Sequence, residues 1–448
     1  MKTYFALLLY SLSIVGMGYF LPREAFIPQL SLFSLGFCAY LFLVQASKKR
    51  NYSFVFILIS ASVLRFLLIG AWPVLSDDFY RYFFDGQLIG YGINPYAYLP
   101  SGLLESGAIP ANNYWETLVT KMNSPSYFSV YPPLHQLVFW ISTWVGEDIY
   151  LNILSLRSIV FLFELVNLWL IKNILSNLKL PGYRLAWYAF NPLVIMEVTG
   201  NLHFEGMVLT GLLIALYYYS QNHEKLTALG WSLAVGLKLS PMLIAPVWLS
   251  AWNKTSFFKF VFISSISLLI LFAPLIFGGQ LTNFYTSFRL YQSSFEFNAS
   301  IYYLLRWISG LFIDYNPIGT LGPSLNFIAA ALLLGIGIMR KSMNTTDLAS
   351  KMVWMYLVFL LLQTTVHPWY LIPALGLSIF TANKLFIAWS GLVFLSYHAY
   401  MGQDYNEHIW VVFTEYTLLF TMAVLLIRYR QSATLEDGSE TRTVLDKL

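Results

Sequence analysis

The chain has 448 residues, of which 58% are hydrophobic, 18% aromatic and 11% charged, and its formal net charge is +4. A soluble domain carries about 25% charged residues, so the composition excludes a water-soluble protein and requires lipid as the solvent. The small net charge indicates no nucleic-acid partner, and the single cysteine, Cys38, excludes an internal disulfide.

Apolar stretches follow one another along the chain and predict membrane-spanning helices, each of which needs about 20 apolar residues. The long candidates are 4–20, 30–46, 53–71, 151–171, 257–277, 323–339 and 409–427. Shorter candidates, several of them interrupted by proline, are 184–199, 205–220, 226–238, 241–252, 350–366, 368–382 and 385–402. Stretches of this length leave no room for the alternating pattern of a membrane barrel. We predict an all-α, polytopic transmembrane helix bundle of about 12–14 spans, with an uncleaved first helix.

The charged residues predict the orientation of this bundle. With the N-terminus inside, basic residues such as Lys48, Lys172 and Arg184 fall at cytoplasmic connections, as the positive-inside rule requires. Carboxylates collect at the opposite face, where two long connections lie at about 72–150 and 278–322. This topology requires that the apolar run 131–146, which opens with Pro132 and Pro133, lies in the interface and does not cross. Residues 1–430 then form one transmembrane domain, and the polar residues 431–448 are predicted to be a disordered cytoplasmic tail.

The first outer connection carries a dense group of ionisable residues directly after the third span. If residues 78–85 are helical, Asp78, Arg81 and Asp85 share one face, because they are three and four positions apart. A carboxylate at this depth could have its pKa raised enough to act as a general base. The same spacing also fits an interfacial helix with a solvated charged face and a local ion pair.

Further polar residues fall at the outer ends of later spans. They are Asn191, Glu197, His203, Glu205, Lys238, His367, His398 and His408. Placing two ionisable residues such as His203 and Glu205 close to the apolar layer of the membrane is energetically unfavourable, so such a pair indicates a functional role. Arg65, Arg157 and Glu164 lie within spans and are interpreted as structural, with Arg157 and Glu164 pairing through a neighbouring span and Arg65 isolated. No dense metal-binding motif such as His-Glu-x-x-His is present.

Taken in order, these motifs resemble those of bacterial GT-C membrane glycosyltransferases, and most of all the polyprenyl-phosphate-mannose-dependent mannosyltransferases. The resemblance rests on the first-loop motif from Asp78 to Gly86 and on Gly92-x-Asn94-Pro95-Tyr96. It continues through Tyr131-Pro132-Pro133-Leu134, Asn191-Pro192-Leu193, Gly200-x-x-His203-x-Glu205, Lys238-x-x-Pro241 and His367-Pro368-Trp369-Tyr370. The chain departs from the related pattern at Glu205, where Asp is more usual. It also has adjacent Asp77 and Asp78 in place of an Asp-x-Asp pair, which leaves metal dependence and the choice of base open.

The resemblance implies a fold with interfacial helices over a cavity that opens to the outer leaflet. It also implies an inverting transfer of a hexose, with mannose expected, from a polyprenyl phosphate to a hydroxyl of a glycan, lipid or other acceptor. Asp78 is the first choice for the base and Asp77 the second. The residues implied for the donor phosphate are Arg81, Lys238, His367, Arg289 and Arg306. Those implied for the sugar or for loop positioning are Asp85, Asn94, Tyr131, His203, Glu205, Trp369 and Tyr370.

The resemblance also implies a multi-pass protein of a bacterial inner membrane with its site on the periplasmic or extracellular side. No cofactor is required, and the sequence does not decide whether a divalent metal takes part. The sequence is also compatible with two classes of protein that are not transferases. A polytopic transporter or lipid flippase would also carry intramembrane charges, although it usually shows paired repeats, which are not evident in this chain. A non-catalytic assembly subunit would have no need of the acidic first loop.

Overall fold

The structure is a computed structural model, and it describes residues 1–339, 344–402 and 405–436. It confirms the predicted all-α class and the apolar helices of a polytopic membrane protein. Of the predicted cytoplasmic tail, residues 431–436 belong to the last helix, and residues 437–448 lie outside the described part of the chain.

The helices are numbered in chain order. The first three are α1 (Lys2–Val15), α2 (Phe26–Arg50) and α3 (Phe54–Phe66), and the first loop adds α4 (Asp78–Gly90), α5 (Pro100–Glu105), α6 (Asn113–Lys121) and α7 (Pro133–Ser142). The middle of the chain forms α8 (Ile149–Asn177), α9 (Ala186–Ala189), α10 (Pro192–Val194), α11 (Glu205–Tyr219), α12 (Glu224–Leu237), α13 (Trp248–Ala251) and α14 (Lys254–Phe277). The second loop forms α15 (Leu281–Ser294) and α16 (Ile301–Ser309), and the remainder forms α17 (Ile318–Ile338), α18 (Thr345–Leu362), α19 (Ile372–Ser378), α20 (Leu385–Leu392) and α21 (Ile409–Glu436).

Fewer helices are long enough to cross a membrane than the predicted 12–14 spans. Among the described residues, seven helices have the required length and composition, or eight if the bent pair Pro192–Gly200 and Glu205–Tyr219 counts as one span. Three shorter apolar helices, Phe54–Phe66, Ser240–Ala251 and Leu385–Tyr400, complete this set. Several predicted spans are thus short or broken, and in Ser240–Ala251 two prolines remove backbone donors and tighten the helix. Helix α7 has ten residues, about 15 Å of helix, which is too short to cross.

Helices α11 and α12 pack with their backbones in close contact. A Cβ atom added at Gly211 would lie 2.6 Å from the amide nitrogen of Ala234, and one added at Gly230 would lie 2.6 Å from that of Ala215. Glycine therefore permits an approach that any larger residue would prevent, as is common between membrane helices. Because the two helices are antiparallel neighbours, the start of α11 and the end of α12 meet at one end of the bundle.

The charged residues inside the bundle are structural, but their partners differ from those predicted. Arg65 is not isolated, since its Nη2 lies 2.9 Å from Oε2 of Glu164 and both side chains are fully buried. Arg157 does not pair with Glu164. Its guanidinium donates to the carbonyl oxygens of Ile69, Thr199 and Gly200 at 2.7–2.8 Å. These groups satisfy backbone and carboxylate atoms that lipid could not.

Basic residues from distant parts of the sequence meet at one end of the bundle. Lys48 lies over the ring of Tyr183, and Arg184 donates to the carbonyl oxygen of Ile379 at 3.3 Å. At the outer connections, Arg23 forms an ion pair with Asp77, with Nη1 2.9 Å from Oδ2. The connections predicted to share a face therefore contact one another. Which membrane face each cluster occupies stays a prediction.

Candidate active site

The candidate site forms where four helix ends meet. The start of α4 supplies Asp78, the start of α11 supplies Glu205, and the end of α12 is followed by Lys238. The turn after α18 carries the fourth contribution, His367 to Tyr370. Residues separated by almost 300 positions in the sequence thus build one site.

A break between two helical segments brings His203 and Glu205 into this site. The segment Pro192–Gly200 and helix α11 are bent by 112° relative to each other. Leu202, between them, has a φ of +66°, a left-handed conformation that costs a non-glycine residue roughly 1–2 kcal/mol. The cost is offset where Arg157 donates to the freed carbonyl groups of Thr199 and Gly200. The break therefore turns the next two polar side chains toward Lys238.

Lys238 is the central cation of the site. Its ammonium group forms an ion pair with Oε1 of Glu205 and lies 4.8 Å from the ring centroid of Tyr370. Its side chain is 30% exposed, whereas Glu205 is buried. The second carboxylate oxygen of Glu205, Oε2, has no hydrogen-bond partner among the described residues. One oxygen of the Glu205 carboxylate is therefore available to accept a hydrogen bond from a bound molecule.

Three stacked rings form the wall beside Lys238. His203 and Trp369 stack with centroids 3.6 Å apart, and Trp369 and His367 stack with centroids 4.4 Å apart. Phe297, from the second loop, continues the stack beyond His367 at 4.7 Å. Burial, reinforced by the nearby Lys238 ammonium, lowers the pKa of His367 to about 3. His367 is therefore a neutral donor or acceptor at physiological pH.

Asp78 lies partly buried at the start of α4, and no ion pair to it occurs within the described chain. It accepts a hydrogen bond from Nδ2 of Asn123 at 2.9 Å. Burial raises the pKa of Asp78, while the Asn123 hydrogen bond and the Lys238 charge oppose that rise. An aspartate with a raised pKa and an accessible oxygen has the properties of a general base.

The neighbouring acidic residues of the first loop have different partners. Asp77 is paired with Arg23. Asp85 is fully buried and pairs with Arg81, with Oδ1 2.7 Å from Nε. Arg81 also donates to the carbonyl oxygens of Ser124 and Tyr127, at 3.0 and 2.9 Å. The structure therefore places Arg81 and Asp85 under the first loop, where they hold its backbone.

The remaining predicted site residues lie around this centre or away from it. Tyr131 contacts the ring of Tyr82 at 5.3 Å, and Asn94 accepts from the amide of Tyr96 at 3.0 Å. Arg306 forms an ion pair with Glu296. Arg289 is exposed on α15. The structure brings Asp78, His203, Glu205, Lys238, His367, Trp369 and Tyr370 together, and it places the two arginines of the second loop on separate helices.

Several residues near the site could not be found from the sequence. Asn123 and Arg23, which bind the two adjacent aspartates, lie in connections with no recognisable motif. Phe297 reaches His367 through an isolated parallel bridge between Phe297 and Thr365. Among residues 1–339, 344–402 and 405–436, no group of three His, Cys, Asp or Glu side chains is arranged to hold a metal ion.

The fold and this site define a polytopic all-α membrane protein, in which helix ends and an acidic first loop surround a polar centre. Residues 34–254 match the sequence model of the MptA_B family, described as alpha-(1->6)-mannopyranosyltransferase, N-terminal domain. The chain is thus a relative of GT-C-type mannosyltransferases, and the resemblance inferred from its motifs is confirmed. The matched residues include Asp78, Glu205 and Lys238 but end before His367.

Individual relatives cover a similar part of the chain. Alpha-(1->6)-mannopyranosyltransferase A of Mycobacterium tuberculosis is 26% identical over 213 residues, 45% of this chain and 39% of the relative. The protein of the same name from Corynebacterium glutamicum is 27% identical over 202 residues, 42% of this chain and 38% of the relative. The alignments therefore span about two fifths of each relative. No solved structure matches this chain.

Proposed function

We propose that this protein is a mannosyltransferase that moves a mannosyl residue from a polyprenyl-phosphate donor to an acceptor hydroxyl, with inversion at the anomeric carbon. The observation that carries the proposal is the position of Asp78, an aspartate outside any ion pair in the described structure, within electrostatic range of the partly exposed cation Lys238. One group can accept a proton while the other stabilises a departing phosphate. The names of the relatives favour mannose as the sugar.

The reaction forms one bond and breaks one bond. The acceptor oxygen attacks the anomeric carbon of mannose from the face opposite the phosphate, and the bond between that carbon and the phosphate oxygen breaks. The hydroxyl proton passes to the Asp78 carboxylate, and the electron pair leaves with the polyprenyl phosphate. Lys238 stabilises the charge that grows on the phosphate, because a cation held in place where charge develops needs no reorganisation during the reaction.

The residues around Lys238 suit the transferred sugar. Glu205 Oε2 is buried and has no hydrogen-bond partner within the described residues, and buried His203 Nε2 makes no hydrogen bond there, although Oε2 of Glu197 lies 3.5 Å away. Buried polar atoms are normally hydrogen-bonded, so sugar hydroxyls would satisfy both groups. The polyprenyl tail would remain in the bilayer beside the apolar helices. In this proposal the site faces the periplasm across a bacterial inner membrane.

The test is transfer by the purified protein in proteoliposomes, with radiolabelled mannose on a polyprenyl phosphate and a soluble mannoside as acceptor. Asp78→Asn should fold and insert normally but lose turnover by about 10²–10⁴-fold, the usual contribution of a general base. Glu116→Gln, which alters an exposed carboxylate on α6, should retain wild-type rates. Asp77→Asn tests the second candidate base. If Asp78→Asn is active and Asp77→Asn is not, then the base is Asp77.

The same proteoliposomes separate a transferase from a transporter or flippase. A transporter would move the lipid or sugar across the bilayer without forming a new glycosidic bond. Label in the acceptor fraction supports the proposal. Passage of label across the membrane with no labelled acceptor would overturn it.

A further inference from the structure

A group of aromatic and charged side chains adjoins Asp77 through an ion pair. We name it the tyrosine platform, and it consists of Arg23, Tyr400 and Tyr405. Arg23 lies in the connection between α1 and α2, whereas both tyrosines lie in the connection from α20 to α21. The proposed reaction gives this surface no role.

The platform is a built surface with direct contacts between its members. The Arg23 guanidinium lies 4.7 Å from the ring centroid of Tyr400, and the rings of Tyr400 and Tyr405 are 5.6 Å apart. Tyr405 also donates a hydrogen bond to the carbonyl oxygen of Glu296 at 3.4 Å. Phe297, at 6.1 Å from Tyr400, connects the platform to the ring stack of the candidate site.

The platform remains accessible to a bound molecule. Tyr405 is 53% exposed. The side chains of Arg23 and its partner Asp77 are 25% and 37% exposed. A ring and an ion pair therefore present their surfaces side by side.

Asp78 follows directly after Asp77, whose carboxylate pairs with Arg23 of the platform. The charges of both Asp77 and Asp78 act on Tyr400. Tyr370, under the Lys238 ammonium, is acted on by Asp78 and Glu205. A base must contact the acceptor hydroxyl, so the acceptor lies against Asp78. Lys238 supplies the cation suited to phosphate, which leaves the platform, joined to the aspartates through Arg23, for the acceptor.

The chemistry of the platform selects a neutral sugar. Asp77 neutralises Arg23, so the pair offers hydrogen-bond donors and acceptors without the net positive charge that a phosphate would require. The exposed ring of Tyr405, next to Tyr400, supplies a large, rigid apolar face with a polar end, which packs against the C–H face of a pyranose. We infer that the tyrosine platform binds the terminal hexose of a glycan acceptor. This inference rests on the proposed function and names the acceptor class for it.

The test uses full-length protein in nanodiscs with octyl α-D-mannopyranoside as the acceptor probe. Binding is measured by calorimetric titration, and transfer is measured separately against acceptor and donor concentration. Tyr405→Ala should weaken binding of the mannoside about tenfold and raise the acceptor KM by the same factor, with the donor KM and kcat within twofold of wild type. Tyr405→Phe, which retains the ring, should restore most of the affinity. Tyr98→Ala is the matched control, because Tyr98 is 52% exposed and lies in the first loop.

Each outcome decides between the two proposals. If wild-type protein binds the mannoside through Tyr405 but does not transfer to it, the proposed function fails and the sugar site stands. If the protein transfers mannose while Tyr405→Ala leaves binding and acceptor KM unchanged, the platform is not the acceptor site. A rise in donor KM alone would assign the platform to the donor and would also overturn the inference, as would an absence of mannoside binding.

Discussion

The buried pair of Arg81 and Asp85 gives the sharpest test of how the first loop is held. The perturbation is Asp85→Asn, which keeps the shape of the side chain and removes its charge. Asp85 is fully buried and accepts from Arg81 Nε at 2.7 Å, from Ser129 Oγ at 2.6 Å and from Gln136 Nε2 at 2.8 Å. Its loss leaves the Arg81 cation buried and unpaired. Breaking a buried ion pair at one partner costs about 3–5 kcal/mol.

The double variant Arg81→Met/Asp85→Asn should be more stable than Asp85→Asn alone. Removing the arginine eliminates the unpaired charge and leaves the carbonyl oxygens of Ser124 and Tyr127 without a donor. The arginine charge is removed with its bonds, and each carbonyl oxygen left without a donor costs about 1 kcal/mol at the lower end of the range for buried acceptors, so the double variant should lose about 2 kcal/mol. The free energies of the two single variants would then fail to add, as expected for residues in contact.

The assay is reversible unfolding of the purified protein in mixed micelles with increasing SDS, applied to both single variants and the double variant. If the double variant is less stable than Asp85→Asn, the pair does not stabilise the loop in the way described. Transfer activity adds a second readout. Arg81 is 2% exposed, and only Nη2 lacks a hydrogen-bond partner among the described residues. We expect the folded double variant to retain activity within about tenfold, whereas a phosphate ligand would cost 10²-fold or more.

Three further predictions concern single groups. Burial raises the pKa of Asp78 above 3.8 and Lys238 opposes that rise, so kcat/KM should fall as pH drops through a value above 3.8. Lys238→Met should move this acidic limb of the pH profile to higher pH. An acidic limb that moves to lower pH or stays fixed contradicts the proposed site. The pKa of His367 falls from 6.5 to about 3 in the folded protein, so its effect on stability is absent above pH 6.5 and grows more unfavourable as pH falls from 6.5 toward 3. His367→Gln should therefore flatten the dependence of the free energy of unfolding on pH, measured by SDS unfolding at pH 7, 6 and 5. An unchanged dependence would show that another group titrates. Lys179 is exposed after α8 and has a φ of +54°, a left-handed conformation that favours glycine. Lys179→Gly should therefore raise the free energy of unfolding by about 1 kcal/mol. A decrease would mean that the lysine side chain stabilises the helix end.

Local spacing predicts the first loop better than it predicts the roles of its residues. The interval between Arg81 and Asp85 indicates one helix face, and both residues lie in α4 as an ion pair. The same interval fits a ligand site and a buried support, because spacing does not report burial. The motif resemblance assigns Arg81 to the donor phosphate, although the structure surrounds it with the backbone of its own loop. That assignment stays a prediction, and the double variant tests it.

Long-range contacts are beyond the sequence for a different reason. Hydropathy identifies the long spans, but a short apolar segment has the same composition whether it crosses the bilayer or ends inside it. The contact between Phe297 and His367 depends on a loop that meets a distant turn through the bridge of Phe297 with Thr365. No periodicity in either segment indicates the other. The motif resemblance identifies His367 as a candidate site residue, but only the structure shows which side chains lie next to it.

A buried arginine explains how an apolar bundle can hold a polar site. Continuing the segment Ile195–Gly200 straight into α11 would satisfy every backbone group but would point His203 and Glu205 elsewhere. The bend frees carbonyl oxygens at a depth where water is scarce, and each unsatisfied group there costs several kcal/mol. Arg157 donates to the carbonyl oxygens of Thr199 and Gly200. Its third nitrogen donates to the carbonyl oxygen of Ile69, in the segment that precedes the first loop. One guanidinium thus stabilises the break and ties it to the chain segment that leads to Asp78, so the acid of the first loop and the polar residues of α11 are held in register.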